Sequence, residues 1–292
     1  MPLVTTGELV GNAAGARSAV AAFNIITLEH VEAVIAGAES AGAPVVLQVS
    51  ENAVKFRYGR LLPLARAAVA AAERADVPVA LHLDHVQSAD LLRQASEAGF
   101  SSVMYDAARL SYADNLAATR AAADWAHAQG LWIEAELGQI GGKGGLPALD
   151  AHAPGARTDP DQARDFVAGT EVDALAVAIG SAHAMTTRTA TLDHRLLKRL
   201  AAALSVPLVL HGSSGVPDDG LVAAVAGGIA KVNVGTALNA AMTGAVRDFL
   251  ATHPEAVDSR KYLSVGREAM AREVTRIIGV LGGAGSGRAS LA

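Results

Sequence analysis

The chain has no cysteine, which removes disulfides, thiolate nucleophiles and cysteine-based zinc sites together. Any transition metal must therefore be held by histidine and carboxylate. Aromatic residues make up only 4%, no basic run occurs, and the formal net charge is −5. Nucleic acid needs a positive footprint and commonly stacking platforms, so it is not an expected partner. Long apolar runs are missing as well. The alanine-rich stretches are short and broken by charge, so no segment reads as membrane-spanning. The first fifteen residues contain Glu8 and neither a basic nor a long apolar stretch, unlike a signal peptide. A cytoplasmic protein without a membrane partner is expected.

What is present is 292 residues, 51% hydrophobic and 18% charged, enough for one large core. α/β barrels use this length as a single domain, so one domain over 1–292 is expected. Eight short β-branched runs follow helix-like segments and end in Gly, Pro, Asn or Asp: 20–24, 44–50, 78–84, 101–106, 131–137, 174–179, 207–211 and 231–235. Most are almost continuously apolar, as buried parallel strands are. Between them lie stretches with apolar residues at helical spacing, such as 28–41, 61–75 and 112–129. Ser88 reads as the cap of a helix stopping at Gly99, and Asp159-Pro160 as an N-cap followed by a first-turn proline. Eight βα units in series predict an α/β fold, a (β/α)8 TIM barrel, ahead of an open doubly wound sheet. Residues 259–281 read as an extra C-terminal helix and the glycine-rich 282–287 as a frayed end. The Gly/Ala/Pro-rich segment 138–158 is long for a βα loop and reads as an active-site lid.

Barrel chemistry sits on the loops after the strands, and the strand ends are polar on one side only. They carry Asn24, Ser50, Asp84-His85, Asp106, Glu134 and Glu136, His183, His211 and Asn233, whereas the opposite ends begin with Pro44, Pro78 and Pro207. One histidine at a strand end is ordinarily a hydrogen-bonded histidine and nothing more. Three on one rim, His85, His183 and His211, in a cysteine-free chain fit a catalytic Zn²⁺ with an open position for substrate. His82, inside strand 3, reads as a satisfied interior residue, and His30, His127, His152, His194 and His253 as surface residues. Asp84 adjoins His85 and could act as a general acid/base there, or merely cap the next helix. The small residues of Gly212-Ser213-Ser214 and Asn233-Val234-Gly235-Thr236, each just before a helix, suit an anion at the usual phosphate position of this fold.

These segments in this order resemble the class II, metal-dependent fructose/tagatose-bisphosphate aldolase family. The similarity runs through Ala22-Phe23-Asn24, Leu81-His82-Leu83-Asp84-His85, Ser102-Val103-Met104-Tyr105-Asp106, Glu134-Ala135-Glu136-Leu137-Gly138 and Ala178-Ile179-Gly180-Ser181-Ala182-His183. It continues through His211-Gly212-Ser213-Ser214-Gly215 and Lys231-Val232-Asn233-Val234-Gly235-Thr236. The resemblance implies a lyase with His85, His183 and His211 as zinc ligands and Asp84 as proton donor and acceptor. It assigns Asp106 and Glu134 to a second or alternative metal position, with Co²⁺ or another divalent metal as alternatives to zinc and a monovalent cation as an additional cofactor. It implies a phosphorylated ketose and dihydroxyacetone phosphate as ligands of Gly212, Ser213, Ser214, Asn233, Val234, Gly235 and Thr236, with Asn24 and Ala184 on the substrate side. Arg260, helped by Ser50, is implied to reach a neighbouring subunit's far phosphate, hence a homodimer or homotetramer.

The chain departs from the family pattern in three places. Ala184 follows the second zinc histidine, where glycine is usual. Gly235 stands where fructose-specific members commonly have aspartate and tagatose-type members a small residue. Lys143-Gly144-Gly145 replaces early acids of the lid, leaving Asp150 as the nearest acid and the proton-abstracting base unassigned. Two other readings remain open: a Schiff-base aldolase, disfavoured because the one strand lysine, Lys231, opens strand 8 at the far end from the mouth, and a non-catalytic phosphosugar-binding or stabilising subunit.

Overall fold

Eight runs become eight parallel strands because each is apolar on its outer side and each is followed by a helix that covers that face. The computed structural model describes residues 2–138, 140 and 156–286. Its strands are β1 (Val20–Asn24), β2 (Val45–Ser50), β3 (Val79–Val86), β4 (Ser102–Tyr105), β5 (Trp132–Leu137), β6 (Ala174–Val177), β7 (Leu208–Leu210) and β8 (Ile229–Val234). They pair in chain order, and β1 pairs with β8 to close the barrel. The (β/α)8 barrel expected from the sequence is the fold.

The helices are α1 (Thr6–Gly15), α2 (Leu28–Ala41), α3 (Glu51–Phe56), α4 (Leu62–Ala72), α5 (Ala89–Leu92), α6 (Ala95–Ala98), α7 (Tyr112–Ala128), α8 (Pro160–Thr170), α9 (His194–Ala203), α10 (Asp218–Ala226), α11 (Thr236–Thr252) and α12 (Ser259–Ser286). Local chemistry sets their ends. Asp159 Oδ1 accepts from the amides of Asp161 and Gln162, with Pro160 in the first turn. Ser88 Oγ accepts from Leu91 as expected, but the helix that ends at Gly99 is split into α5 and α6. Helix α1 is not among the expected elements, although Thr5 caps it by accepting from the Glu8 amide. Its Leu9, Val10 and Ala13 pack with Val20, Ala22, Val46, Ala80 and Ala230, so it plugs the N-terminal end of the barrel. The extra C-terminal helix is present as α12, which packs along α2, α10 and α11. It runs on through 282–286, where a frayed end was expected. Gly37 lets it approach α2, since a Cβ there would lie 2.6 Å from the carbonyl oxygen of Ala271.

Strand alternation determines what the interior holds. Alternate residues of the strands, such as Phe23, Leu47, Leu81, Leu83, Val103, Ile133 and Leu175, join the large cluster beneath the helices. The intervening positions point inward. Ala22, Val46 and Ala80 fill the bottom, Gln48, His82, Ser102, Glu134 and Lys231 are buried in the middle, and Asn24, Asp84, Glu136, His211 and Asn233 stand above them. The upper half of the barrel core is thus polar and charged. Such a layer persists only when its members satisfy one another.

Candidate active site

Asp84 and His85 are consecutive, and in a regular strand they would face opposite ways. They do not, because β3 carries one extra residue. Leu83 pairs with Val103 and Val86 with Tyr105, leaving two residues of β3 against one of β4. His85 takes the left-handed conformation, φ 53°, which few non-glycine residues adopt. This bulge turns the imidazole into the barrel mouth beside the carboxylate, and Asp84 Oδ2 lies 4.0 Å from His85 Nε2. Bulges that re-aim a side chain are frequent near active sites.

Three further elements bring the remaining ligand types to the same rim. His211 follows β7, His183 lies in the segment after β6, and Glu136 points inward from β5. The ring centroids of His85, His183 and His211 stand 4.8–5.9 Å apart. One ligand atom from each of His85, Glu136, His183 and His211 lies within 4.8 Å of the others. Neutral imidazoles and one carboxylate at this spacing fit a divalent cation of the zinc type. Two carboxylates stand behind these groups. Asp106 Oδ2 is 3.0 Å from His85 Nδ1, and Glu134 Oε1 is 2.8 Å from His211 Nε2. Carboxylates placed on the far nitrogen of an imidazole orient it and fix its tautomer. Asp106 and Glu134 therefore lie outside the four-residue cluster, and Glu136, which the sequence reading had left without a role, lies inside it. The available signal was the two-residue spacing from Glu134, which puts both on the inner face of β5.

The acid/base candidate is tightly held. Asp84 Oδ2 accepts from Asn24 Nδ2 at 2.8 Å and Oδ1 from Asn233 Nδ2 at 3.4 Å. The cap of α5 is Ser88, so Asp84 is not used as a helix cap. Burial acts to raise the Asp84 carboxyl, but the charges of His85, His211, His82 and Lys231 outweigh it and bring it down to about 2. His211 is opposed in the same way. Burial disfavours its charge, while hydrogen bonds to Glu134 and Glu136 raise it to about 9, so a positive charge is favoured where a cation would sit. Burial, reinforced by Lys231, depresses His82 to about 3. Its Nδ1 meets Ser102 Oγ at 2.7 Å, but its Nε2 has no hydrogen-bond partner among the described residues, so only one side of the ring is satisfied there.

A cleft of about 590 Å³ opens over these groups, and Asn24, Ser50, Ala184 and Thr236 are among its lining residues. On its β7–β8 side, Gly212 is left-handed at φ 66°, and a Cβ there would lie 2.6 Å from the Ala182 carbonyl oxygen. Glycine thus lets the segment bearing His183 close onto the β7 loop. Ser213 Oγ donates to the Asn233 carbonyl oxygen at 2.5 Å, and Ser214 Oγ accepts from the Ala237 amide at 3.1 Å. The two hydroxyls staple the loops together. Gly235 lines the cleft, whereas Val234 is buried, with its side chain in the outer core. Ser50 caps α3 by accepting from Ala53. Its neighbour Glu51 holds the β3 loop, with Oε2 accepting from the amides of Gln87 and Ser88 at 2.7 and 3.1 Å.

Two expectations, for Lys231 and His30, are corrected. Lys231 does not open β8; the strand starts at Ile229, and the Lys231 side chain is buried in the charged interior layer. His30 is no surface residue. It is 3% exposed, between Thr27 and Asn239, because α2 turns that face toward α11. Arg260 lies away from its own chain's cleft; its side chain is 89% exposed and paired with Asp258. The expected lid falls mostly outside the described residues, including Lys143 and Asp150. At its stem, Thr158 bridges Leu137 and Ala178.

Fold and site together define a parallel (β/α)8 barrel with a histidine/carboxylate cluster of metal-holding geometry at its C-terminal mouth. The chain belongs to the class-II fructose-bisphosphate aldolase family, whose model matches residues 4–286. It is similar to the YdjI aldolase of Escherichia coli K12, with 31% identity, TM-score 0.81, and 96% and 97% of the two chains covered. It is also similar to a candidate fructose-1,6-bisphosphate aldolase of Coccidioides immitis, with 29% identity, TM-score 0.84, and 95% and 96% covered. The fold is shared with fructose-bisphosphate aldolase of Campylobacter jejuni at 22% identity and TM-score 0.80, with 96% and 95% covered. Family membership supports an aldolase, a carbon–carbon lyase acting on a phosphorylated sugar. Among the described residues no helix is long and apolar enough to cross a membrane.

Proposed function

We propose that this protein is a zinc-dependent aldolase that reversibly cleaves a ketose (bis)phosphate of the fructose- or tagatose-1,6-bisphosphate type to dihydroxyacetone phosphate and an aldehyde. The observation that carries this reading is the placement of the Asp84 carboxylate beside the His85–Glu136–His183–His211 cluster, on one rim of the barrel. A divalent cation held by those four residues supplies Lewis-acid stabilisation for the negative charge that bond scission leaves on the three-carbon fragment. Zinc suits the donor set, and Co²⁺ is the natural substitute.

The chain's own groups do the rest. Asp84 is a carboxylate at neutral pH, so in cleavage it takes the proton of the C4 hydroxyl as the C3–C4 bond breaks. In condensation it returns that proton to the aldehyde oxygen. Asn24 and Asn233 donate to its two oxygens and hold it in register. Asp106 and Glu134 keep the His85 and His211 rings aimed at the cluster. The Gly212–Ser214 and Gly235–Thr236 segments, with the N-terminus of α11, favour a phosphate on the ketone side, and this fixes the reacting carbons relative to Asp84. Gly235, small where an aspartate would crowd Asn24, favours a tagatose-type or broader ketose over strict fructose specificity. Arg260, exposed and outside its own cleft, suits contact with the far phosphate in a neighbouring subunit of a homodimer or homotetramer. The absence of a membrane-crossing helix among the described residues suits a cytoplasmic location.

The test is steady-state cleavage of fructose-, tagatose- and related ketose phosphates by metal-reconstituted protein. Chelation should abolish turnover, and Zn²⁺ or Co²⁺ should restore it. Tight phosphate-ligand binding with zero turnover in the zinc-loaded protein would instead favour a non-catalytic barrel. A lysine adduct trapped by borohydride would overturn the mechanism.

A further inference from the structure

Lys231 is a cation with no evident use in the chemistry, yet it is fully buried at the centre of the barrel. Its Nζ donates to Glu134 Oε2 at 2.8 Å and to Asn233 Oδ1 at 2.8 Å. These two partners lead to different halves of the site. The other oxygen of Glu134 holds His211 Nε2, and the amide nitrogen of Asn233 donates to Asp84. We infer that Lys231 is a positioning residue that couples the metal-holding half of the site to its proton-transfer half. The inference rests on the proposed roles of His211 and Asp84.

The direction of each link follows from donor chemistry. An ammonium group only donates, so Asn233 must turn its carbonyl oxygen toward Lys231 and its NH₂ toward the Asp84 carboxylate. A flipped amide would set N–H against ammonium and oxygen against carboxylate, two repulsions in a dry interior. Lys231 therefore selects one of two amide orientations, and with it the geometry of Asp84. On the other branch, the ammonium compensates Glu134, a buried carboxylate that would otherwise lack a cation on Oε2. Glu134 then keeps the Nε2–H of His211, which leaves Nδ1 turned toward Glu136 and the cluster. Lys231 and Asn233 stand two residues apart in β8 and therefore share its inner face.

The experiment compares the full-length protein with Lys231→Met, Glu134→Gln and the double variant. The readouts are Zn²⁺ affinity by chelator competition without substrate, and kcat and KM for the best ketose phosphate. Lys231→Met should lower Zn²⁺ affinity about 10-fold or more and reduce kcat while leaving KM nearly unchanged. Should the single variant not fold, the double variant carries no uncompensated buried carboxylate and is measured against Glu134→Gln. If Lys231 acts on the metal through Glu134, the double variant binds Zn²⁺ no more weakly than Glu134→Gln alone. Its kcat should still be lower, because the Asn233 branch is also lost. Losses of Zn²⁺ affinity that multiply, or a kcat equal to that of Glu134→Gln, would overturn the inference. A merely structural lysine would lower Tm and leave both readouts in place. The Zn²⁺ readout stands even if no ketose phosphate is turned over, so failure of the proposed function is distinguishable from failure of this one.

Discussion

Asp84 and His85 occupy adjacent positions in β3 and still face the same cavity, with 4.0 Å between carboxylate Oδ2 and imidazole Nε2. The bulge makes this possible, and it separates two functions within one dipeptide. Asp84→Asn should keep the fold and Zn²⁺ affinity while kcat falls about 10²- to 10⁴-fold, the usual range for a positioned acid/base. Steady-state kinetics with parallel chelator competition reads both. A parallel collapse of Zn²⁺ affinity would mean that Asp84 serves the metal and not the proton.

Ala184 is left-handed, φ 59°, in the segment just after His183. A side chain with Cβ is strained there, and glycine is not. Ala184→Gly is expected to stabilise the protein by roughly 0.5–1 kcal/mol, after allowing for the greater freedom of glycine in the unfolded chain. Denaturant midpoints check this, and an unchanged or lower midpoint would show that the strain is already relaxed.

His30 links the acid stability of the fold to a site outside the cluster. Burial holds its imidazole below the ordinary 6.5, against weaker opposing effects of Asn239 and Glu29. The unfolded state therefore binds a proton more readily than the native state. The sign follows: stability is intact above 6.5 and is lost as pH falls from there toward the folded value. Unfolding free energies measured between pH 7.5 and 5 in about half-unit steps should decline more steeply for the natural chain than for His30→Gln. Parallel curves would remove His30 from the account.

Gly37 sits where α2 meets α12, with no room for a Cβ beside Ala271 and Val274. Gly37→Val should push the C-terminal helix away and cost about 1–3 kcal/mol. Calorimetric Tm reads the effect. A variant as stable as the natural chain would show that α12 can shift without loss.

Much of this molecule is legible without coordinates because barrel strands announce themselves locally. Runs such as 45–50 and 79–83 are almost continuously apolar, interrupted within the run by Gln48 and His82, and the polar residues that end them lie on one side of the sheet. Asp84, His85, His183 and His211 were visible for that reason. The N-terminal plug α1 was not, since its short apolar stripe has meaning only against the open bottom of a barrel.

What the sequence by itself determined is the set of eight strands, their order and the placing of three histidines at their ends, because strand propensity, period and punctuation act over a few residues. The tertiary structure alone decided how these side chains divide the work. It separated Glu136 from Glu134 by a single inward step, placed Asp106 behind His85, turned His30 inward and raised Lys231 into the charged layer. Those assignments depend on register, on the bulge in β3 and on closure between β1 and β8. Each joins residues far apart in the chain, where distance along the sequence carries no information about distance in space.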